Sequence, residues 1–326
     1  MNMKNHCTGY AAVVGMLILI LDSKTALEGA QEGIILCVKT VIPSLFPFFI
    51  LTFLLTNTFH GLMPELLRPI RSWCKLPAGS EAVLISGYLG GYPVGAQCIA
   101  QTYNNGGLRK EDAQRMLGFC NNAGPAFLFG MVGPMFSEGW MAWALWIIHI
   151  TSALAVARIL PGAVSACHVQ KQSPLTLADA LEKAIHTMAL VCGWVIFFRV
   201  IVQFLNRWLL WACPVPIRIM LAGVLELSNG CYCLQQIENE SLRFILASVL
   251  IAGGGLCVTM QTISVTRGLS LRFYYWGKIL QTLVSLLLSW SVISGSIVPL
   301  LLCLLTSFPL FRKKQKKCSI PRPLRV

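Results

Sequence analysis

Apolar residues run through this chain in blocks, and the charges collect in the short stretches between them. The first block covers roughly 8–21 and the second roughly 34–59, the latter interrupted by Pro43 and Pro47. Between them Asp22, Glu28 and Glu32 predict an acidic loop. Further blocks cover roughly 116–136, 140–160, 187–211, 244–266, 275–292 and 296–311. Each is close to the length a helix needs to cross ~30 Å of hydrocarbon, which predicts about eight crossings. Basic residues mark the cytoplasmic side and place the amino terminus inside.

Two apolar stretches do not fit a simple crossing. Residues 82–100 contain Gly87, Gly90, Gly91, Pro93 and Gly95, with Arg68, Arg71 and Lys75 before them and Arg109, Lys110 and Arg115 after. Basic charge on both flanks predicts a re-entrant hairpin that leaves on the side it entered. Its irregular backbone must be buried in protein or face a water-filled cavity, because lipid cannot satisfy the amides. Residues 217–236, with Glu226, Asn229 and Gly230 inside and Glu238 and Glu240 after, read as a second hairpin entering from outside. Two of the spans are themselves interrupted, 116–136 at Asn121-Asn122-Ala123-Gly124-Pro125 and 244–266 at Gly253-Gly254-Gly255. The segment 172–186, with Leu175, Leu177, Leu181 and Ile185 on one face, reads as an amphipathic helix along the cytoplasmic interface.

Hairpin then broken span, first from inside and later from outside, is the layout of an inverted repeat. The expected fold is therefore an all-α polytopic membrane protein of inverted-repeat, transporter-like architecture. A single transmembrane domain over 1–311 would hold a first repeat at about 82–160 and a second at about 217–292, followed by a basic cytoplasmic tail at 312–326.

Composition supports a bilayer as the main solvent. The chain is 56% hydrophobic and 12% charged, against roughly 25% charged in soluble domains. The net charge of +13 raises the question of nucleic acid. The basic residues, however, sit in short loops and in the tail (Arg312, Lys313, Lys314, Lys316, Lys317) rather than along a helical face interleaved with aromatics. That placement points to anionic lipid as the partner, with no nucleic acid. Most of the 13 cysteines stand alone in apolar runs, where the residue acts as a small hydrophobe, and no spacing suits a metal or a disulfide framework. Lys4 followed by Tyr10–Leu21 has the look of a signal peptide, and an uncleaved first span is the preferred reading. HExxH, GxSxG and Walker patterns are missing, and the 13 acids fall nearly all in loops. Neither an enzyme nor a resident cofactor is expected.

The chemistry is expected where hairpin tips and broken spans meet near the bilayer midplane. Half-helix amino ends there offer free N–H groups and a positive dipole end to an anionic small-molecule substrate, while freed carbonyls could hold a coupling cation, Na⁺ or H⁺ carriers included. The candidate residues are Gly91, Tyr92, Pro93 and Gly95 at the first tip, and Asn121, Asn122, Gly124 and Pro125 at the first break. Asn229, Gly254 and Gln261 are their counterparts in the second half. A single glycine is more simply a packing device, but clusters at matching places in both halves favour a site. Asn121 and Asn122 are the more specific signal, since buried amides need partners that a substrate can supply. Lys39, Arg199 and Glu226 lie inside spans, where charge is costly and usually functional. Lys39 or Arg199 would be counter-charge to an anion and Glu226 would take a proton or cation; a structural ion pair among them is the competing reading. His149 reads as a packing residue, and a homo-oligomer is compatible with all of this.

Pro43-Ser44-Leu45-Phe46-Pro47-Phe48-Phe49, Ser86-Gly87-Tyr88 with Gly91-Tyr92-Pro93-Val94-Gly95-Ala96, and Phe119 to Phe127 carry a resemblance, joined more loosely by Gly253–Val258 with Gln261. The chain resembles the sporulation integral membrane proteins with nucleoside-recognition (Gate) domains, a family similar in plan to concentrative nucleoside transporters. The resemblance implies a multi-pass protein of the bacterial cell membrane, in a spore former the mother-cell-derived outer forespore membrane. It also implies a dicarboxylate cargo, dipicolinic acid, moved by alternating access. Two alternatives stand beside it. One is carriage of a nucleoside or other neutral metabolite, for which Asn121, Asn122, Gln97 and Gln261 would matter most. The other is a non-transporting scaffold for spore-envelope assembly, with the basic tail making the contacts.

Overall fold

A computed structural model describes residues 3–58, 68–77, 79–162 and 175–297, and among them every regular element is helical. Helix α1 (Met3–Leu21) is followed by α2 (Ser23–Leu36), a five-residue π-turn (Cys37–Val41) and α3 (Ile42–Thr58). The last three form one continuous rod. The acidic loop expected at Asp22, Glu28 and Glu32 is therefore a correction: only Asp22 stays outside, where its carboxylate caps α2 by accepting from the Thr25 N–H at 3.3 Å. Good helix formers and a polar cap outweigh the charges there. The π-turn has a local cause in Pro43, which has no N–H to offer the carbonyl four residues back. Ile42 accordingly donates five residues back, to Cys37.

A short helix α4 (Arg68–Cys74) leads to a helical hairpin of α5 (Glu81–Leu89) and α6 (Val94–Asn104). At 1.5 Å per residue neither arm could cross ~30 Å of hydrocarbon. Next come α7 (Lys110–Leu117), an unwound stretch, and α8 (Pro125–Phe127), prolonged by a π-turn (Leu128–Val132) and a 3₁₀ turn (Gly133–Met135) before α9 (Gly139–Ile159). The order then recurs. Helix α10 (Leu177–Trp208) is long, α11 (Val215–Leu225) and α12 (Leu227–Cys233) form a hairpin, α13 (Glu240–Gly253) and α14 (Gly255–Val265) are two halves of a broken helix, and α15 (Arg272–Ser294) is long.

The separate interfacial helix expected at 172–186 is likewise corrected from Leu175 onward. Thr176 and Asp179 cap each other's backbone at the start of α10, and with no breaker before Trp208 the amphipathic turn runs straight into the span. Most of the span expected at 296–311, and the whole basic tail, lie outside the described residues.

Among the described residues five helical stretches are long and apolar enough to cross a membrane: Ser23–Leu55, Gly139–Ile159, Leu177–Trp208, Glu240–Val265 and Arg272–Ser294. Their outer faces expose large apolar side chains, among them Leu51, Phe197, Leu283 and Trp290. So broad an apolar surface suits lipid, not water. The chain is a polytopic helical membrane protein.

Packing depends on close backbone approach as well as on large buried side chains such as Phe49, Phe119, Phe244 and Tyr274. Helix α10 runs along α2 over Gly29 and Gly33, where an added Cβ would lie 2.9 Å from the Cα of Val200 and of Ile196. The α5–α6 hairpin lies on the unwound stretch after α7: a Cβ on Gly87 would sit 1.7 Å, and one on Gly95 2.1 Å, from the Cys120 carbonyl oxygen. Gly87→Leu is expected to cost at least the upper end of the ~1–3 kcal/mol of overpacking. Gly9→Leu, where a Cβ meets open space, should cost little. Thermal unfolding of the detergent-solubilised protein, followed by size-exclusion chromatography, checks this. Equal melting of the two variants would contradict the close approach.

Candidate functional site

The four interruptions of the helices meet. The Tyr92 hydroxyl, at the α5–α6 tip, donates to the Ile251 carbonyl at 3.3 Å, one turn before the break between α13 and α14. Gly91 backs onto Gly124, so that a Cβ on Gly91 would lie 2.8 Å from the Gly124 nitrogen. Gly255 faces the carbonyls of Gly223 and Val224, just ahead of the second tip, with 2.9 Å for an added Cβ to each. Positive φ at Gly91 (+77°) and Gly254 (+73°) makes both turns affordable only without a side chain.

Together they close a cavity of about 30 Å³. Tyr92, Ala123, Gly124, Glu226, Ser228 and Gln261 line it, with Val41 and Leu45 of the first rod and Val191 and Val195 of α10 as apolar walls. Such a volume holds one or two waters, far below the 300–1,000 Å³ of a site filled by an organic ligand. In the described conformation the centre is too small to hold an organic ligand. A second, open cavity of about 390 Å³ lies between Gln97 of α6 and Asp179, Glu182, Lys183 and His186 of α10. On α10 its last lining residue, His186, lies between one and two turns from Val191 of the first cavity.

Glu226 is the whole connection between α11 and α12, and it is 1% exposed. One carboxylate oxygen accepts from the Ser228 N–H at 3.0 Å and the other from the Asn229 N–H at 2.6 Å. It thus caps α12 with its own charge, a favourable place for an anion. Arg199 does not pair with it. The Arg199 guanidinium donates to the Asn229 side-chain oxygen and forms an ion pair with Glu32, clamping α10 to α2. Lys39, expected as a counter-charge, is exposed on the π-turn between α2 and α3 and is not among the residues lining the cavity.

Asn121 and Asn122 are fully buried but turned into protein. Asn121 accepts from the Ala96 N–H at 3.3 Å and donates to the Thr262 hydroxyl at 2.8 Å, joining the first break to α6 and α14. Asn122 donates to the Phe119 carbonyl at 2.6 Å and accepts from Gln281 at 3.0 Å. Their amides are satisfied in this conformation without a ligand. Pro93 and Pro125 start α6 and α8, Gly95 lies under Cys120, and Gln261 reaches the cavity with its Nε2 against the Cys257 sulfur at 3.3 Å.

Three contributors escape sequence reasoning. His149 accepts from the Ala123 N–H at 3.0 Å and so holds the unwound backbone. Gln281 spans Asn122 and the His149 carbonyl, the latter at 3.3 Å. Lys278 is buried and donates to Gln281 at 3.1 Å and to the Tyr92 hydroxyl at 2.7 Å. The signal for Lys278 is present in the chain as a charge inside an apolar run. It stands near the start of the predicted 275–292 span, however, where a lysine ordinarily reaches the interface.

Among known proteins, the chain is similar to the sporulation integral membrane protein YlbJ of Bacillus subtilis (strain 168). The two are 24% identical over 314 residues, which covers 81% of this chain and 76% of that protein. This chain is a relative of a sporulation membrane protein. No family model matches it, and no solved structure matches significantly.

Asn121→Ala strands the buried Ala96 N–H, a loss of about 1–3 kcal/mol, while the Thr262 hydroxyl keeps its bond to the Val258 carbonyl at 2.8 Å. Asn105→Ala, at an exposed position, is the control. The Asn121 variant should unfold at a clearly lower temperature in detergent; indistinguishable melting would contradict its bridging role.

Proposed function

We propose that the chain is a transporter of a small organic anion in sporulation, with dipicolinate as the cargo. The single observation that supports this most is the meeting of two hairpin tips and two helix breaks around one buried cavity. Interrupting four helices at one place costs backbone hydrogen bonds, and a membrane protein tolerates that only where irregular backbone faces protein or a cavity. The order of long helix, hairpin, broken helix and long helix, met twice along the chain, is the plan expected of an inverted repeat whose halves move against each other.

Charge supports an anion. Tyr92 and Gly124, just ahead of α6 and α8, line the cavity, and a helix start carries a positive partial charge. A third helix start at the cavity, that of α12, is already balanced by Glu226. The open cavity beside Gln97 and His186 is then the vestibule on the cytoplasmic side, and movement of the α5–α6 tip would join it to the centre. The similarity to a sporulation protein, together with the sequence motifs, supports the mother-cell-derived outer forespore membrane as the location.

Proteoliposomes containing the full chain are expected to take up labelled dipicolinate saturably, and uridine poorly. Gln261→Ala, at the cavity wall, should lower uptake about tenfold, the scale of one lost hydrogen bond to a charged solute. Uptake of uridine but not dipicolinate would replace the anion reading with a neutral-metabolite carrier. No uptake of either solute under any ion gradient, with insertion verified, would favour the scaffold.

A further inference from the structure

Lys278 is a buried lysine with no acid beside it among the described residues. Its ammonium meets the Tyr92 hydroxyl at 2.7 Å and the Gln281 side-chain oxygen at 3.1 Å, and lies 4.8 Å from the Tyr92 ring centre and 6.0 Å from that of Tyr274. All of these neighbours are uncharged, and among the described residues it forms no ion pair. The other interior cations are compensated otherwise. Arg199 has Glu32, and Arg115 donates to the carbonyls of Lys75, Cys74 and Ala157. Glu226 lines the same cavity as Tyr92, but its two oxygens are taken by the backbone of α12. A charge inside a membrane protein without a counter-charge is expensive, and such residues mark ligand or ion pathways.

Tyr92 touches both this ammonium and the cavity: it is among the residues lining the cavity, and its hydroxyl accepts from Lys278 while donating to the Ile251 carbonyl. Tyr92 also belongs to the turn between α5 and α6, so any shift of that tip withdraws the hydroxyl. We infer that Lys278 is the anion-selecting residue of the site, masked by Tyr92 in the closed conformation and presented to a carboxylate of the cargo when the tip moves. This rests on the transport reading above and adds the residue that would distinguish an anion from a neutral solute. An entering carboxylate supplies the missing counter-charge by replacing the hydroxyl, and a charge-assisted hydrogen bond of this type is about twice as strong as a neutral one.

The test compares uptake of pyridine-2,6-dicarboxylate with that of its neutral diamide in proteoliposomes of the full chain. Lys278→Gln, which keeps a hydrogen-bonding end beside Tyr92, is expected to lower dicarboxylate uptake roughly 10- to 100-fold and to lower diamide uptake by a much smaller factor. Lys278→Arg should retain the preference for the dianion. Tyr92→Phe keeps the lysine and removes its competing partner, so it should lower the half-saturating concentration of the dicarboxylate relative to that of the diamide. Dicarboxylate uptake that survives Lys278→Gln overturns the assignment while transport stands. A Tyr92→Phe effect equal on both solutes overturns it as well, even if the lysine variants fold poorly. Wild-type protein that neither takes up the dianion nor is thermally stabilised by it overturns the transport reading and this assignment together.

Discussion

Everything at the centre of this protein follows from one constraint: backbone released from a helix inside an apolar medium must find its partners in the protein itself. Four interruptions occur, and three of them are answered by a different side chain. His149 takes the Ala123 N–H, the Asn121 amide takes that of Ala96, and Glu226 takes those of Ser228 and Asn229. Once those bonds are made, the interruptions cannot lie far apart, because several of the groups that satisfy one break belong to another element of the centre.

The same constraint explains the division of labour between helices. The long elements α2–α3, α9, α10 and α15 expose apolar faces and pack through small residues, so that the outside needs no specific chemistry. Helix α15 is the exception on its inner side. Gly277 admits the Gly118 carbonyl, to within 2.1 Å of an added Cβ, and one residue later Lys278 enters the polar centre. Gln281 continues the line to Asn122 and His149, and Ser285 donates to Ser152 at 3.0 Å. One face of one helix thus threads a polar seam through an otherwise apolar interior, tying α9 and the first break to a single ruler.

Such a seam is also what a moving site needs. Its bonds are mostly side chain to side chain or side chain to an unwound backbone, and these can be exchanged for bonds to a solute or to water without unravelling a helix. The long helices, by contrast, are held by tight backbone contact that tolerates little displacement. Under the transport proposal, motion at the hairpin tips against a fixed frame is the mechanically cheaper change.

Much of this was legible in the chain before any coordinates. Apolar block lengths determined the membrane class, glycine and proline clusters marked the hairpins and breaks within a few residues, and Glu226 stood out as an acid inside an apolar stretch. These are local properties: helix length, missing N–H groups and positive φ depend on neighbours in sequence. Tertiary structure alone decided where side chains point. Lys39 and Lys278 are both lysines in apolar runs, yet the first is exposed on a π-turn while the register of α15 carries the second inward. Asn121 and Asn122 could have faced a ligand or the protein, and only the positions of Thr262 and Gln281, more than a hundred residues away in sequence, turned them to the protein. Rotation of a helix about its axis and the distance between remote segments are set by packing, which no local pattern encodes.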